Sequence, residues 1–305
     1  MIIFNASLPR AGSTLLSNIL GNNPDIYASP TSSLMSMVTS AHAGWNLDNA
    51  TITEGIDLNN NLHTEKREES VKEFFRKGME AYYNEITQRK YKVDKSRGWL
   101  ITSDLIGEVF PESTMLCMIR HPYDIMASFE KIYRNTPMIN KIAEGTLNLE
   151  TGKGLTVEAR VQNWLQTEPF STALDYLIHA RQIGANNIQI IKYEDLIQSP
   201  DEVMKEIYTK VGIPYYKHNF KNIKQVTHEV DIESIYGQHK IRPEVKFRPD
   251  ESTMFPLKQA EKILGVKACL MIEQYPLIGD FMDEFGYQRM SKHLAYVKGE
   301  DFNSR

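Results

Sequence analysis

Apolar residues along this chain fall into two patterns, short uninterrupted runs and longer stripes at helical spacing. Ile2-Ile3-Phe4 is the first run, and it gives way to a loop of small and turn-forming residues from Ala6 to Gly12. A strand buried on both faces reads this way. Ser13 to Leu20 then places apolar residues at Leu15, Leu16, Ile19 and Leu20 and stops at Gly21-Asn22-Asn23-Pro24, which predicts a helix with its terminator. Residues 28–69 are rich in Ser, Thr and Asn with little periodicity beyond Leu34, Met35 and Val38, and are read as an insertion or lid. Val71, Phe74, Phe75, Met79, Tyr82, Tyr83 and Ile86 share one 3.6-residue stripe, an amphipathic helix with a core face.

Tyr91-Lys92-Val93-Asp94 predicts a short strand, and Trp99 to Phe110 a helix ended by Pro111. Met115-Leu116-Cys117-Met118-Ile119 is a second wholly apolar run closed by Arg120-His121-Pro122, again a strand buried on both faces. Helical spacing resumes from Asp124 to Tyr133, and the polar, Gly-containing stretch 134–156 reads as a second insertion. Val157 to Gly184 is helical with a break at Pro169, Ile188 to Ile191 a strand, and Ser199-Pro200-Asp201-Glu202 a capping box opening a helix that stops at Gly212. Strands alternating with helices predict a three-layer α/β fold, a central parallel sheet with helices on both faces. The 305 residues are read as a single domain, 1–305, with insertions at 28–69 and 134–156.

Composition narrows the classes. The formal net charge of −4 argues against a surface that coats nucleic acid, which needs a surplus of Lys and Arg. No stretch approaches the ~20 apolar residues that span a bilayer, and the apolar start Met1-Ile2-Ile3-Phe4 lacks the length and basic flank of a signal segment. A cytoplasmic protein with no membrane span is expected. Cys117 and Cys269 are the only cysteines, and no disulfide is expected. The eight histidines form no H-E-x-x-H or Cys/His cluster, so no metal site is predicted.

In a parallel α/β sheet, ligands bind at the carboxyl ends of strands, and four loops occupy such positions. Ser7-Leu8-Pro9-Arg10-Ala11-Gly12-Ser13-Thr14 joins a strand to a helix start, where backbone N–H groups bind phosphate or sulfate oxygens. Unlike the nucleotide-hydrolase loop G-x-x-x-x-G-K-[ST], it has Ser13 in place of the Lys, which weakens the case for magnesium-assisted ATP chemistry. Arg120 follows the second apolar run, with Ser128 two helical turns on, a pair able to grip a phosphate. Asp94-Lys95-Ser96 and Lys192-Tyr193-Glu194-Asp195-Leu196 end the other two strands.

Together these residues resemble the sulfotransferase superfamily. Leu8-Pro9-Arg10-Ala11-Gly12-Ser13-Thr14-Leu15 is similar to its 5'-phosphosulfate loop, usually P-R-S-G-T-T-L or P-K-S-G-T-T-W. Val93-Asp94-Lys95-Ser96 with Phe110-Pro111 resembles the D-K-[ST]-P and F-P elements of the bacterial and tyrosylprotein branches. Ile119-Arg120-His121-Pro122-Tyr123-Asp124 with Ser128 resembles the 3'-phosphate motif V-R-[DN]-P-x-D-x-x-x-S, and Tyr193-Glu194-Asp195-Leu196 with Pro200 the Y-E-D-L-x-x-x-P element. The resemblance runs in family order from about residue 2 to 215.

It implies a P-loop-like sulfotransferase fold and transfer of a sulfuryl group, without a metal, from 3'-phosphoadenosine 5'-phosphosulfate to a hydroxyl or amine of a small-molecule, glycan or peptide acceptor. Arg10, Ala11, Gly12, Ser13 and Thr14 would hold the 5'-phosphosulfate, Lys95 would touch the transferring group, Arg10 and Lys95 would act catalytically by stabilising charge on the bridging oxygen, and Arg120, Ser128 and Tyr193 would hold the 3'-phosphate. Lys240-Ile241-Arg242-Pro243 matches the family's late basic loop, with Arg242 on the cosubstrate.

Two positions depart from the family. Arg97 stands where the cytosolic branch has its catalytic His, and after Pro24-Asp25 no Glu appears where the tyrosylprotein branch has its base. The base is sought in the first insertion among His42, Asp48, Glu54, Asp57 and His63, with His42 ranked first beside the apolar segment 34–38. Two rivals remain at this level, a phosphate-loop kinase of small molecules and a non-catalytic nucleotide-binding protein on the same scaffold.

Overall fold

The computed structural model describes residues 1–51, 61–135, 155–184, 187–229, 239–246 and 256–298. In chain order the elements that matter first are β1 (Ile2–Ser7), α1 (Ser13–Gly21), β2 (Ile26–Thr31), α2 (Leu34–Thr51), α3 (Asn61–Ile86) and β3 (Tyr91–Lys95). A 3-10 turn (Arg97–Thr102) leads into α4 (Ser103–Val109), β4 (Met115–Ile119) and α5 (Pro122–Asn135). Then come α6 (Val157–Gln166), α7 (Phe170–Gln182), β5 (Ile188–Lys192), α8 (Tyr193–Gln198) and α9 (Pro200–Val211). Four short helices follow: α10 (Pro256–Leu264), α11 (Val266–Gln274), α12 (Ile278–Glu284) and α13 (Met290–Lys298).

The five strands form one parallel sheet in the order β2-β3-β1-β4-β5. Every residue of β1 and β4 is buried, because helices cover the sheet in a three-layer α/β arrangement and leave no wet face. The chain leaves β1 toward β2 and β3 on one side, then crosses to β4 and β5 on the other. Crevices at such a reversal open at the carboxyl ends of the strands.

The apolar runs and stripes read from the sequence become β1, α1, the second half of α3, β3, β4, α5, α6, α7, β5 and α9. The segment 28–69 differs from its reading as an insertion. It begins inside β2, a strand of the sheet, and continues into α2 and the start of α3. Two features hid β2. Pro30 lies within it, which a strand tolerates only at a sheet edge, and the pairing with β3 shifts register between Ala28 and Thr31. Of the second segment, residues 136–154 lie outside the described residues.

The four C-terminal helices brace the helical layer. α10 and α11 pack on α5, and α11 on α6. Cys117 and Cys269 are free, buried thiols, and burial pushes the Cys117 thiol up to about 12. No helix among the described residues is long and apolar enough to cross a membrane.

Candidate active site

All five strands end on one cavity of about 700 Å³, to which Ser7, Thr31, Lys95, Arg120 and Tyr193 each bring a strand terminus or the residue after it. Eight Lys and Arg side chains line it against three carboxylates, Asp124, Glu229 and Glu244. In a chain of net charge −4 this concentrates positive potential in one concave site, which focuses the field on an anionic ligand.

The loop from β1 to α1 is shaped by two left-handed residues, Arg10 at φ 58° and Gly12 at φ 94°. A Cβ on Gly12 would stand 2.6 Å from Cδ2 of Tyr193, so only Gly lets the loop take this turn under the ring. Gly12 is also the N-cap of α1, and no side chain among the described residues caps it. The first-turn N–H groups are therefore available to an anion at the positive end of the helix. Asn5 of β1 donates to Ser13 O (3.1 Å) and Ser17 Oγ (2.8 Å), and Ser7 Oγ to Ser13 Oγ (3.1 Å), which locks strand to helix beneath the loop. Arg10, Gly12, Ser13 and Thr14 line the cavity. Ala11 is not among the lining residues. It is buried, and its N–H is used within the loop, donating to Leu8 O at 3.3 Å.

Across the loop, the Arg120 guanidinium stacks on the Tyr193 ring, 4.5 Å from its centroid. Its Nη1 donates to Arg10 O (3.2 Å), and its Nη2 lies 3.7 Å from Asp124 Oδ2. Its Nε is buried with no hydrogen-bond partner among the described residues. A buried unsatisfied donor of a charged group costs ~1–3 kcal/mol or more. Arg10 reaches toward the same point, its Nε donating to Ser128 Oγ at 3.1 Å. The two arginines and Ser128 thus converge from β4, the first loop and α5.

This cluster is held from behind. Glu194 accepts from the N–H of His121 (2.9 Å) and from Tyr287 Oη (3.2 Å). Tyr123 N donates to His121 Nδ1 (3.2 Å), and His121 Nε2 faces Gln288 O at 3.1 Å, so the ring sits neutral between an amide and a carbonyl. Burial pulls its pKa down to about 3, which suits a structural peg. Tyr123 Oη donates to Glu273 Oε2 at 2.6 Å. The R-H-P and Y-E-D residues that do not touch the cavity therefore fix the direction of those that do.

Lys95 closes the cavity on the β2 side. Its neighbour Asp94 is fully buried and accepts from Ser32 (2.6 and 2.8 Å), Trp99 Nε1 (2.8 Å) and Tyr83 Oη, which anchors the end of β3. Lys95, nearly buried itself, donates to Thr14 Oγ1 at 3.2 Å and forms an ion pair with Glu229. Its ammonium thus lies beside the first turn of α1. Glu229 also accepts from Thr31 N (3.2 Å) and Thr31 Oγ1 (2.9 Å), with His239 Nδ1 at 3.8 Å. Burial pushes the Glu229 carboxyl up, but the bond and charge of Lys95 outweigh it and hold the carboxyl below its usual range. Arg242 and Arg97 line the cavity as well.

His42 is not brought there. It lies two turns into α2, away from the cavity lining, with its ring edge-on to Phe75 at 6.2 Å between centroids. Glu54 and Asp57 lie outside the described residues, as do the side chains of Asp48 and His63. Sequence reasoning missed Glu229, Thr31 and His239. Glu229 and His239 sit in the aperiodic stretch past Val211, where no local pattern marks them. Among the described residues no group of three His, Cys, Asp or Glu could hold a metal ion.

The Nodulation protein NoeE of Sinorhizobium fredii is 25% identical over 224 residues, 70% of this chain and 50% of that protein. The chain thus spans about half the length of the curated relative it matches. Among solved structures, the sulfotransferase domain of the curacin biosynthetic pathway superposes with a TM-score of 0.51 at 17% identity, covering 94% of this chain and 98% of that one. The sulfotransferase domain of the Synechococcus PCC 7002 olefin synthase covers 71% and 74% at 19% identity, with a TM-score of 0.41. The model of the sulfotransferase family matches residues 3–217, well over half the chain, and with the parallel sheet and its strand-end cavity in place the conclusion is that this chain belongs to the sulfotransferase family.

Proposed function

We propose that the protein transfers a sulfuryl group from 3'-phosphoadenosine 5'-phosphosulfate to a hydroxyl or amine of a small-molecule, glycan or peptide acceptor. The observation that carries this reading is the strand-end cavity lined both by the uncapped α1 N-terminus with Lys95 and by Arg120 with Ser128. It provides two anion seats in one cavity, as a nucleotide charged at both its 3' and 5' positions needs. Arg120 and Ser128 fit the 3'-phosphate. Tyr193, stacked on Arg120, stands beside that 3' seat, the α1 N-terminus with Arg10, Ser13 and Thr14 fits the 5'-phosphosulfate, and Arg242 lines the same cavity from the later loop. Lys95 would neutralise charge gathering on the bridging oxygen, since such transfers depend mainly on in-line positioning and stabilisation of the leaving group. The acceptor side falls to the cavity wall near Thr31 and Met35, at the start of the 28–69 segment.

Thermal melting tests the cosubstrate against the kinase alternative. Adenosine 3',5'-diphosphate with a chelator is expected to stabilise the protein, by about 2.7 kcal/mol at 100 times its dissociation constant. ATP with magnesium should do much less, because it leaves the Arg120 seat empty. The reverse ranking would overturn the reading in favour of a kinase.

Arg120→Ala is expected to weaken binding of the same diphosphate by roughly 10- to 100-fold, the loss of a charge-assisted contact of ~1.5–3 kcal/mol. It should slow saturated turnover much less, since a group remote from the sulfur supplies uniform binding. Calorimetric titration reads this directly, and an unchanged dissociation constant would remove Arg120 from the ligand site.

A further inference from the structure

Glu229 belongs to none of the sequence motifs, yet it is the carboxylate paired with Lys95. Its side chain is 11% exposed and that of Lys95 5%, so the pair is shielded from solvent. The segment that delivers it is fastened to α1. Asn18, fully buried one turn beyond Thr14, accepts from Thr227 N (3.0 Å) and Val226 N, and its amide donates to Thr227 Oγ1 (2.8 Å) and Thr14 O (2.8 Å). The helix that opens with the anion-binding turn therefore also sets the position of Glu229.

The order of the strands supplies the direction. Arg120 follows β4, the phosphate loop follows β1, Lys95 ends β3 and Thr31 ends β2. A ligand with its 3'-phosphate on Arg120 and its phosphosulfate between the loop and Lys95 runs across the sheet toward β2. In-line displacement requires the attacking atom to approach the sulfur opposite the leaving oxygen, which is the β2 side. Glu229, bonded at once to Lys95 and Thr31, occupies that side. We infer that Glu229 is the catalytic residue that takes the acceptor's proton, with Lys95 as its counter-ion before transfer and Asn18 as its positioning residue. This rests on the cosubstrate reading above.

The step balances without another reactant. The acceptor O–H or N–H bond breaks and its proton passes to a Glu229 carboxylate oxygen, while the freed electron pair forms the new bond to sulfur. The bond from sulfur to the bridging oxygen breaks, and its electron pair stays on the 5'-phosphate of the departing diphosphate, beside Lys95. As Lys95 turns from Glu229 to that oxygen, the carboxylate loses the partner that kept it a weak base. Proton acceptance thereby strengthens as the leaving group gains charge.

Glu229→Gln keeps the size and the acceptor oxygen for Thr31, so folding is followed by melting and binding by calorimetry with adenosine 3',5'-diphosphate. Water serves as the acceptor, and release of labelled sulfate from 3'-phosphoadenosine 5'-phosphosulfate is followed with stoichiometric enzyme. The expected result is diphosphate affinity within about threefold of wild type and sulfate release slowed by about 10²-fold or more, the usual size of general-base catalysis. Glu229→Asp should recover part of that rate, whereas His239→Asn should keep most of it. An unchanged or faster rate in Glu229→Gln would show that the carboxylate only restrains Lys95, and loss confined to His239→Asn would move the base there. Either overturns the inference while the cosubstrate reading stands. Failure of wild type to bind the diphosphate would overturn the reading itself.

Discussion

Lys95→Ala is expected to lower turnover by about 10²- to 10³-fold, the usual loss when one preorganised donor to transition-state charge is removed. The lysine ends β3 with its ammonium between Thr14 Oγ1 and Glu229, inside a cavity where a charge interacts more strongly than in water. The fold should persist. Asp94, the adjacent residue, keeps its bonds to Ser32, Trp99 and Tyr83, and Glu229 keeps Thr31. Lys95→Arg retains the charge but spreads it over a planar fork that matches the site poorly, so it should recover only part of the rate. Single-turnover release of labelled sulfate measures both variants. Near wild-type rates in Lys95→Ala would remove Lys95 from the chemistry.

The largest effect on stability is expected at Glu130. Its side chain, 1% exposed on α5, receives Arg160 of α6 through two bonds, Nε to Oε2 at 2.9 Å and Nη2 to Oε1 at 2.6 Å. Arg160, itself 8% exposed, also stacks 4.1 Å from the Tyr133 ring centroid. Removing the carboxylate leaves a buried guanidinium without its counter-charge, and breaking such a pair from one side costs about 3–5 kcal/mol. Arg134 bonds the same carboxylate at 2.8 Å but is 52% exposed, so Arg134→Ala should cost no more than ~1 kcal/mol. Urea denaturation separates the two, with the midpoint of Glu130→Ala falling sharply at unchanged slope. Equal midpoints for the two variants would show that the buried pair contributes nothing. Because α5 also carries Ser128 and begins just past Arg120, a weakened α5 should bind the diphosphate less tightly.

How much of this was legible follows from the range of the signals. The turn from β1 into α1 was readable because strand, Gly-containing turn and helix start are consecutive, and the conformation there is set locally. Arg120 and Ser128 were readable for the same reason, lying on one strand end and the helix after it. Ala11 was read as a ligand contact because the loop pattern does not reveal which of its N–H groups is turned inward to Leu8. His42 was chosen by nearness in sequence to an apolar segment, but α2 carries it two turns from the cavity, onto Phe75.

The sequence by itself determined the alternation of strands and helices and the identity of the strand-end loops, since these depend on local periodicity and turn chemistry, and the motifs in those loops carried the resemblance to the family. Only the tertiary structure decided that β2 is an edge strand of the sheet, because its Pro30 and shifted register erase the local pattern and its pairing partner lies beyond two helices. Only the tertiary structure likewise brought Glu229 to Lys95, across 134 positions, through the bonds of Asn18 to a segment with no periodicity of its own. The basic loops proposed to hold the cosubstrate are presented locally by the strand ends. The pairing of Glu229 with Lys95 depends on a long-range contact, which no window of sequence contains.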